Sequence, residues 1–183
     1  MSNGHQTTVA TLQTGKIRYL AALSLAAIWL LTGAARLLEA APLEIIGVPA
    51  VMMGDTLEVQ GYRVRLFGID APEPEQSCRL PHKVYDCGRV AAAALMDLTA
   101  GTVVRCIPKR QADDDVLIGI CYADGYDLSE GMTYTGWALT LPNGPTRYSE
   151  LEEGAKNAGR GLWRGEFVMP WDWRNGKRLP SPD

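Results

Sequence analysis

The chain has 183 residues, 46% hydrophobic and 21% charged, with a formal net charge of −3. That suits one folded domain at roughly 100–200 residues per domain, and it excludes a wholly disordered chain, a coiled coil and a polytopic membrane protein. The first 38 residues carry Lys16, Arg18 and Arg36 and no acid, so 15 basic and 21 acidic residues remain for the rest. Binding polyanions through bulk positive charge is excluded as well, and any nucleic-acid contact must rest on a few local cations.

The first 41 residues read as a targeting segment. Lys16 and Arg18 precede an apolar run of 13 residues, Tyr19 to Leu31, followed by Thr32, Gly33, Ala34 and Ala35. A basic flank, a short apolar stretch and small residues are the pattern of a secretory signal. Cleavage after Ala35, or near Ala40 or Ala41, is one outcome, and an uncleaved signal anchor is the other. Either exports the chain. In an exported chain an even number of cysteines favours disulfides. The four cysteines allow three pairings. Cys78–Cys87 and Cys106–Cys121 are preferred because each closes a short loop, and buried thiols are the alternative. His82 is the one histidine after the leader, which argues against zinc.

Residues 43–69 read as three strands. Leu43 to Val51 is rich in Ile and Val, Met52 to Asp55 resembles a turn, and Thr56–Val59 and Tyr62–Ile69 follow. In the last of these Val64 and Leu66 alternate with Arg63 and Arg65, which predicts one apolar and one cationic face. Asp70-Ala71-Pro72-Glu73-Pro74-Glu75 ends the strand, and a Pro- and His-containing loop holds Cys78 and Cys87. Residues 88–99 predict an amphipathic helix with Val90, Ala91, Ala94, Leu95 and Leu98 on one face and Gly101 at its end. Thr102–Ile107 and Val116–Tyr122 predict strands around a polar loop, Pro108 to Asp115. Capping-box patterns at Asp127–Glu130 and Ser149–Glu152 predict helices to about Thr135 and Ala158. Phe167, Trp171 and Trp173 suggest an aromatic strap over the barrel, ahead of a loose polar tail, 174–183. Trp137 and Trp163 read as packing anchors. Five short antiparallel strands with helices fit a mainly β, α+β fold, a Greek-key barrel of OB type.

Asp55, Asp70, Glu73 and Arg65 all sit at turns or in strands that could share one barrel rim. Two aspartates can hold a hard divalent cation through oxygen. A third carboxylate can position or deprotonate water, and an arginine can grip a phosphate with two parallel hydrogen bonds. Solvated turn acids are the plain alternative. Arg63 shares the Arg65 face, as an addition to that phosphate patch or as a solvated cation.

Gly54-Asp55-Thr56 and Arg65-Leu66-Phe67-Gly68-Ile69-Asp70-Ala71-Pro72-Glu73 resemble the signature of the staphylococcal nuclease (thermonuclease) family. Tyr122-Ala123-Asp124-Gly125, Gly136-Trp137-Ala138 and Gly161-Leu162-Trp163 follow in the family's order, and the resemblance runs from about 44 to 173. It is closest to the exported, four-cysteine branch, and it extends to a nuclease-like protein of succinoglycan (exopolysaccharide) biosynthesis. The resemblance implies an OB-fold, Ca²⁺ dependence and hydrolysis of DNA or RNA, with single-stranded or frayed nucleic acid as substrate. It implies a periplasmic or secreted location, or an inner-membrane anchor through the leader. It also implies Asp55, Asp70 and the Ala71 carbonyl as metal ligands, Glu73 acting on water and Arg65 on the phosphate. The family's second catalytic arginine corresponds to Val116, behind an acidic run, Asp113-Asp114-Asp115. Its base-stacking tyrosines are replaced by Leu141-Pro142-Asn143-Gly144-Pro145. Arg110 is the substitute cation, or else a solvated loop residue. A catalytically disarmed accessory protein of the cell envelope is therefore the alternative function.

Overall fold

A computed structural model describes residues 42–112 and 115–181. The leader and Asp113 and Asp114 of the acidic run lie outside them. Among the described residues, eleven short strands and four α-helices follow one another in a mixed α+β arrangement. They are β1 (Ile45–Gly47), β2 (Pro49–Met53), β3 (Thr56–Val59), β4 (Tyr62–Leu66), β5 (Ile69–Asp70), β6 (Ser77–Leu80) and β7 (Lys83–Asp86), then α1 (Cys87–Thr99), β8 (Val104–Gln111), β9 (Leu117–Ala123) and β10 (Tyr126–Asp127). The rest comprises α2 (Leu128–Thr135), β11 (Leu139–Thr140), α3 (Thr146–Asn157), a 3₁₀ turn at Gly161–Arg164 and α4 (Pro170–Arg174).

The main sheet runs β1-β8-β9-β4-β3-β2, with β10 added on β9. Only Val48 separates β1 from β2, yet β1 pairs with β8 and β2 with β3, at opposite ends of that ladder. One bent stretch of chain therefore brings the two edges together and curls the sheet. The expectation of wholly antiparallel strands is corrected at one joint, because β4 and β9 run parallel. Such a pair needs a long crossover, and residues 67–116, with α1 among them, supply it.

The alternation read in β4 is present. Val64 and Leu66 are buried, whereas Arg63 and Arg65 are exposed. Helix α1 packs Ala91 and Leu95 into the core, with Ala94 and Leu98 partly covered. Val90 is 37% exposed, so the apolar face is shifted from the expected one and Cys87 and Gly88 complete it.

Three further expectations change. The segment read as a loop from Pro108 continues as strand to Gln111, and the ladder shifts register between Pro108 and Arg110. Proline has no N–H to give, and a bulge lets the strand pass it. The Cys78–Cys87 loop contains a hairpin, β6–β7, with His82 in its turn. Helix α3 begins at Thr146 rather than Ser149, and Glu152 accepts from the Thr140 N–H at 2.9 Å instead of closing a capping box. At α2 the expected cap holds, because Asp127 accepts from the N–H groups of Ser129 and Glu130.

The apolar interior falls into two clusters. The larger fills the curled sheet beneath α1 and α2, and the smaller gathers Cys78, Cys87, Leu139 and Leu162. Trp137 packs against both, and Trp163 packs in the smaller one with its ring edge-on to Phe167, 5.1 Å between centroids. The aromatic strap therefore covers the smaller cluster, through Phe167 and Trp171, and not the main sheet. Both expected disulfides are present, Cys78–Cys87 and Cys106–Cys121. Among the described residues no helix is long and apolar enough to cross a membrane.

Candidate functional site

Asp55 sits in the turn between β2 and β3. A Cβ on Gly54 would lie 2.7 Å from the Ala91 Cβ and 2.8 Å from the Ala71 Cβ, so only glycine lets this turn settle against α1 and Ala71. Asp55 is 6% exposed, and its carboxylate is held by two hydrogen bonds. It accepts from the Thr56 hydroxyl at 2.7 Å and from the Ala71 N–H at 3.4 Å. Its main chain is pinned as well, because the Leu66 N–H donates to the Asp55 carbonyl at 2.8 Å. Burial holds its pKa above the usual carboxylate value and the neighbouring Asp70 charge adds to that, while the Thr56 bond, Arg65 and the Ala71 bond pull it back.

Asp70 ends β5, which pairs with β11 through Leu139. It too is buried. Glu73 follows on a tight turn, closed by the Gln76 N–H donating to the Glu73 carbonyl at 2.8 Å. The side chain of Gln76 is fully buried and bonds at both ends. Its Oε1 accepts from the Glu73 N–H at 3.2 Å, and its Nε2 donates to the Val168 carbonyl at 2.6 Å. The Glu73 turn is thereby tied to the C-terminal segment.

Met53, Asp55, Arg65, Ala71, Pro72, Glu73 and Arg174 line one cavity of about 160 Å³. Of the residues that the sequence singled out, the structure places Asp55, Arg65, Ala71 and Glu73 on this cavity, while Asp70 is not on its lining and is joined to it through Arg174. Sequence reasoning missed two participants. Gln76 carried no pattern to mark it. Arg174 was assigned to a loose tail, yet it ends α4 and its guanidinium reaches into the site. Nη1 and Nη2 donate to the two Asp70 carboxylate oxygens at 3.0 and 2.6 Å, and Nη1 also reaches Glu73 Oε1 at 2.5 Å. The one available signal was the Pro170-Trp171-Asp172-Trp173-Arg174 string, a proline at a helix start with a cation at its end.

Arg65 also lines a larger cleft of about 480 Å³. Phe67, Arg110, Ile118, Leu141, Pro142 and Asn143 are among its walls. Arg65 and Arg110 both register on Ile118, from β4 and β8 respectively. Val116, the position expected for a second arginine, is 9% exposed.

The donors around Asp55 and Asp70, two carboxylates and the Ala71 carbonyl, are hard oxygens of the kind that suit Ca²⁺ or Mg²⁺. Among the described residues no group of three or more His, Cys, Asp and Glu side chains is arranged to hold a metal. Two carboxylates and a backbone carbonyl make up the donor set expected for a cation. The electrostatics fit one, since Asp55 is strained toward neutrality by burial beside Asp70, and Asp70 has already recruited a guanidinium.

The family described as staphylococcal nuclease homologue matches residues 63–165. The chain is 34% identical over 126 residues to the succinoglycan biosynthesis protein ExoI of Rhizobium meliloti (strain 1021), covering 67% of this chain and 66% of that protein. An uncharacterized endonuclease of Escherichia coli O157:H7 is 32% identical over 138 residues, 71% of this chain and 84% of that protein. The probable staphylococcal-like nuclease CAN3 of Oryza sativa subsp. japonica is 31% identical over 132 residues, of which this chain spans only 33% of its length. With that match over residues 63–165, the chain belongs to the staphylococcal nuclease homologue family.

Proposed function

We propose that the protein is an exported, Ca²⁺-dependent nuclease that hydrolyses phosphodiester bonds of unpaired DNA or RNA. The observation that carries this reading is the gathering of Asp55, Arg65, Ala71 and Glu73 around one small cavity with Asp70 beside them. In this proposal Asp55, Asp70 and the Ala71 carbonyl hold the cation. When bound, Ca²⁺ polarises a phosphoryl oxygen. Glu73, with its side chain 26% exposed at the cavity wall, takes the proton of the attacking water. Arg65 grips the phosphate with its planar fork and offsets the charge that builds in the transition state.

Arg65 also borders the larger cleft, so a nucleotide seated there keeps its phosphate at the catalytic residues. The Leu141–Asn143 wall gives an unpaired base an apolar surface in place of aromatic stacking. Arg110, across Ile118 from Arg65, is the second phosphate cation of this proposal, in the role for which Val116 has no charge. The two disulfides support export, since they persist in oxidising compartments.

The test is cleavage of single-stranded DNA and RNA by the oxidised protein, with Ca²⁺ or with chelator. Cleavage that needs Ca²⁺ and falls by about 10²–10⁴ in Glu73→Ala is the expected result. Absence of cleavage in the parent would leave the second reading, a nuclease-fold accessory protein of the cell envelope. The Arg174 clamp on Asp70 and Glu73 favours that reading, as does the similarity to a protein named for succinoglycan biosynthesis.

A further inference from the structure

Arg174 occupies the electrostatic position of a cation. A carboxylate as buried as Asp70, whose side chain is 6% exposed, needs a positive partner. Arg174 supplies it with two parallel hydrogen bonds and extends one nitrogen to Glu73. These are the oxygens that a divalent cation and a reacting water would use under the function proposed above, on which this inference rests. A guanidinium bound to both Asp70 oxygens competes with a dication for their lone pairs, and the two positive charges repel.

The backbone that carries Arg174 is well tied. The Trp173 N–H donates to the Met169 carbonyl at 2.9 Å, Lys177 pairs with Asp172 at 3.1 Å, and Arg178 stacks on Trp173 at 3.6 Å. Farther along, Arg79 donates to the Pro180 carbonyl, and upstream Gln76 holds the Val168 carbonyl. The side chain of Arg174 is nevertheless 48% exposed, so it can leave the carboxylates for solvent while its helix stays in place.

We propose that Arg174 is a built-in latch: it closes the Asp70–Glu73 pair, and a divalent cation must displace it to load the site. A site whose competent state is only partly populated binds its ligand more weakly by that fraction, so removal of the latch tightens binding.

The experiment is a calorimetric titration of Ca²⁺, without nucleic acid, into the oxidised full-length protein and into Arg174→Ala, Arg174→Lys and Asp55→Asn. Thermal unfolding of each is followed with and without Ca²⁺. Arg174→Ala should bind about tenfold more tightly or better and gain more thermal stability from Ca²⁺ than the parent does. Arg174→Lys, which keeps the charge but not the fork, should fall between them and guards against a poorly folded alanine variant. Equal or weaker binding in both Arg174 variants, with binding lost in Asp55→Asn, overturns the latch and leaves the cation site standing. No Ca²⁺ binding in the parent or in either Arg174 variant overturns the cation site and the latch with it.

Discussion

Gln76 shows how much of this site depends on a residue with no chemistry of its own. Its amide joins the Glu73 N–H to the Val168 carbonyl inside the protein, 92 positions apart in the second of those bonds. Replacing it with methionine keeps the volume and strands both backbone groups. A buried polar group left unpaired costs about 1–3 kcal/mol. Gln76→Met should therefore lower unfolding free energy by at least about 1 kcal/mol in urea titration, and it should weaken cleavage by releasing the Glu73 turn. Unchanged stability would mean that water replaces both bonds. Gly88 works in the same place by being small, since a Cβ there would lie 1.8 Å from the Glu73 carbonyl oxygen. Asp55 and Asp70 were legible in the sequence because Gly-Asp-Thr and Asp-Ala-Pro belong to the signature that resembles the nuclease family, whereas as turn acids alone they were ordinary. Gln76 and Arg174 were not, because their partners lie 92 and 104 residues away in the chain.

At the scale of elements, α2 carries a titratable cap. Asp127 accepts from the N–H groups of Ser129 and Glu130 at 2.8 and 3.4 Å and from the Tyr148 hydroxyl of α3 at 2.7 Å. Burial raises its pKa above 3.8, and those bonds only partly offset the rise. The folded protein therefore holds this proton more tightly than the unfolded chain does. The resulting stability is fully present below pH 3.8 and is lost as pH rises through the higher folded value. Asn caps a helix about as well and does not ionise. The stability of the parent relative to Asp127→Asn should thus fall over the pH window that opens at 3.8, as pH rises, in denaturant titrations. A relative stability that grows over that window would show that the charged carboxylate is the favoured form. The Asp127 cap was readable from four consecutive residues. The hairpin β6–β7 and the passage of β8 through Pro108 were not, because a proline and short polar strands contradict local propensity and only their pairing partners override it.

For the whole molecule, each of the two apolar clusters contains one disulfide. Cys106 and Cys121 face each other across β8 and β9, and Cys78–Cys87 fastens the β6–β7 hairpin to the start of α1 beside the smaller cluster. The bridges close separations of 15 and 9 residues. In the chain-entropy account those are worth about 3 and about 2.5 kcal/mol. Reduction should therefore lower the thermal midpoint by well over ten degrees in a domain of this size, read by circular dichroism with and without reductant. A midpoint that reductant leaves in place would show that folding does not depend on either bridge.

The sequence by itself determined the α+β class, the β3–β4 and β8–β9 strand pairs, helices α1 and α2, and the short signature that holds Asp55, Arg65, Asp70 and Glu73. These are features of near neighbours, in which turn chemistry, apolar period and capping are expressed within a dozen residues. Tertiary structure alone decided that β4 and β9 run parallel, that one bent stretch joins both edges of the sheet, and that Arg174 closes on Asp70 and Glu73. Each of these depends on segments tens of residues apart meeting once the core is buried. Hydrophobic packing chooses that meeting for its total area, and no local pattern in the chain records which distant charge will be left facing which carboxylate.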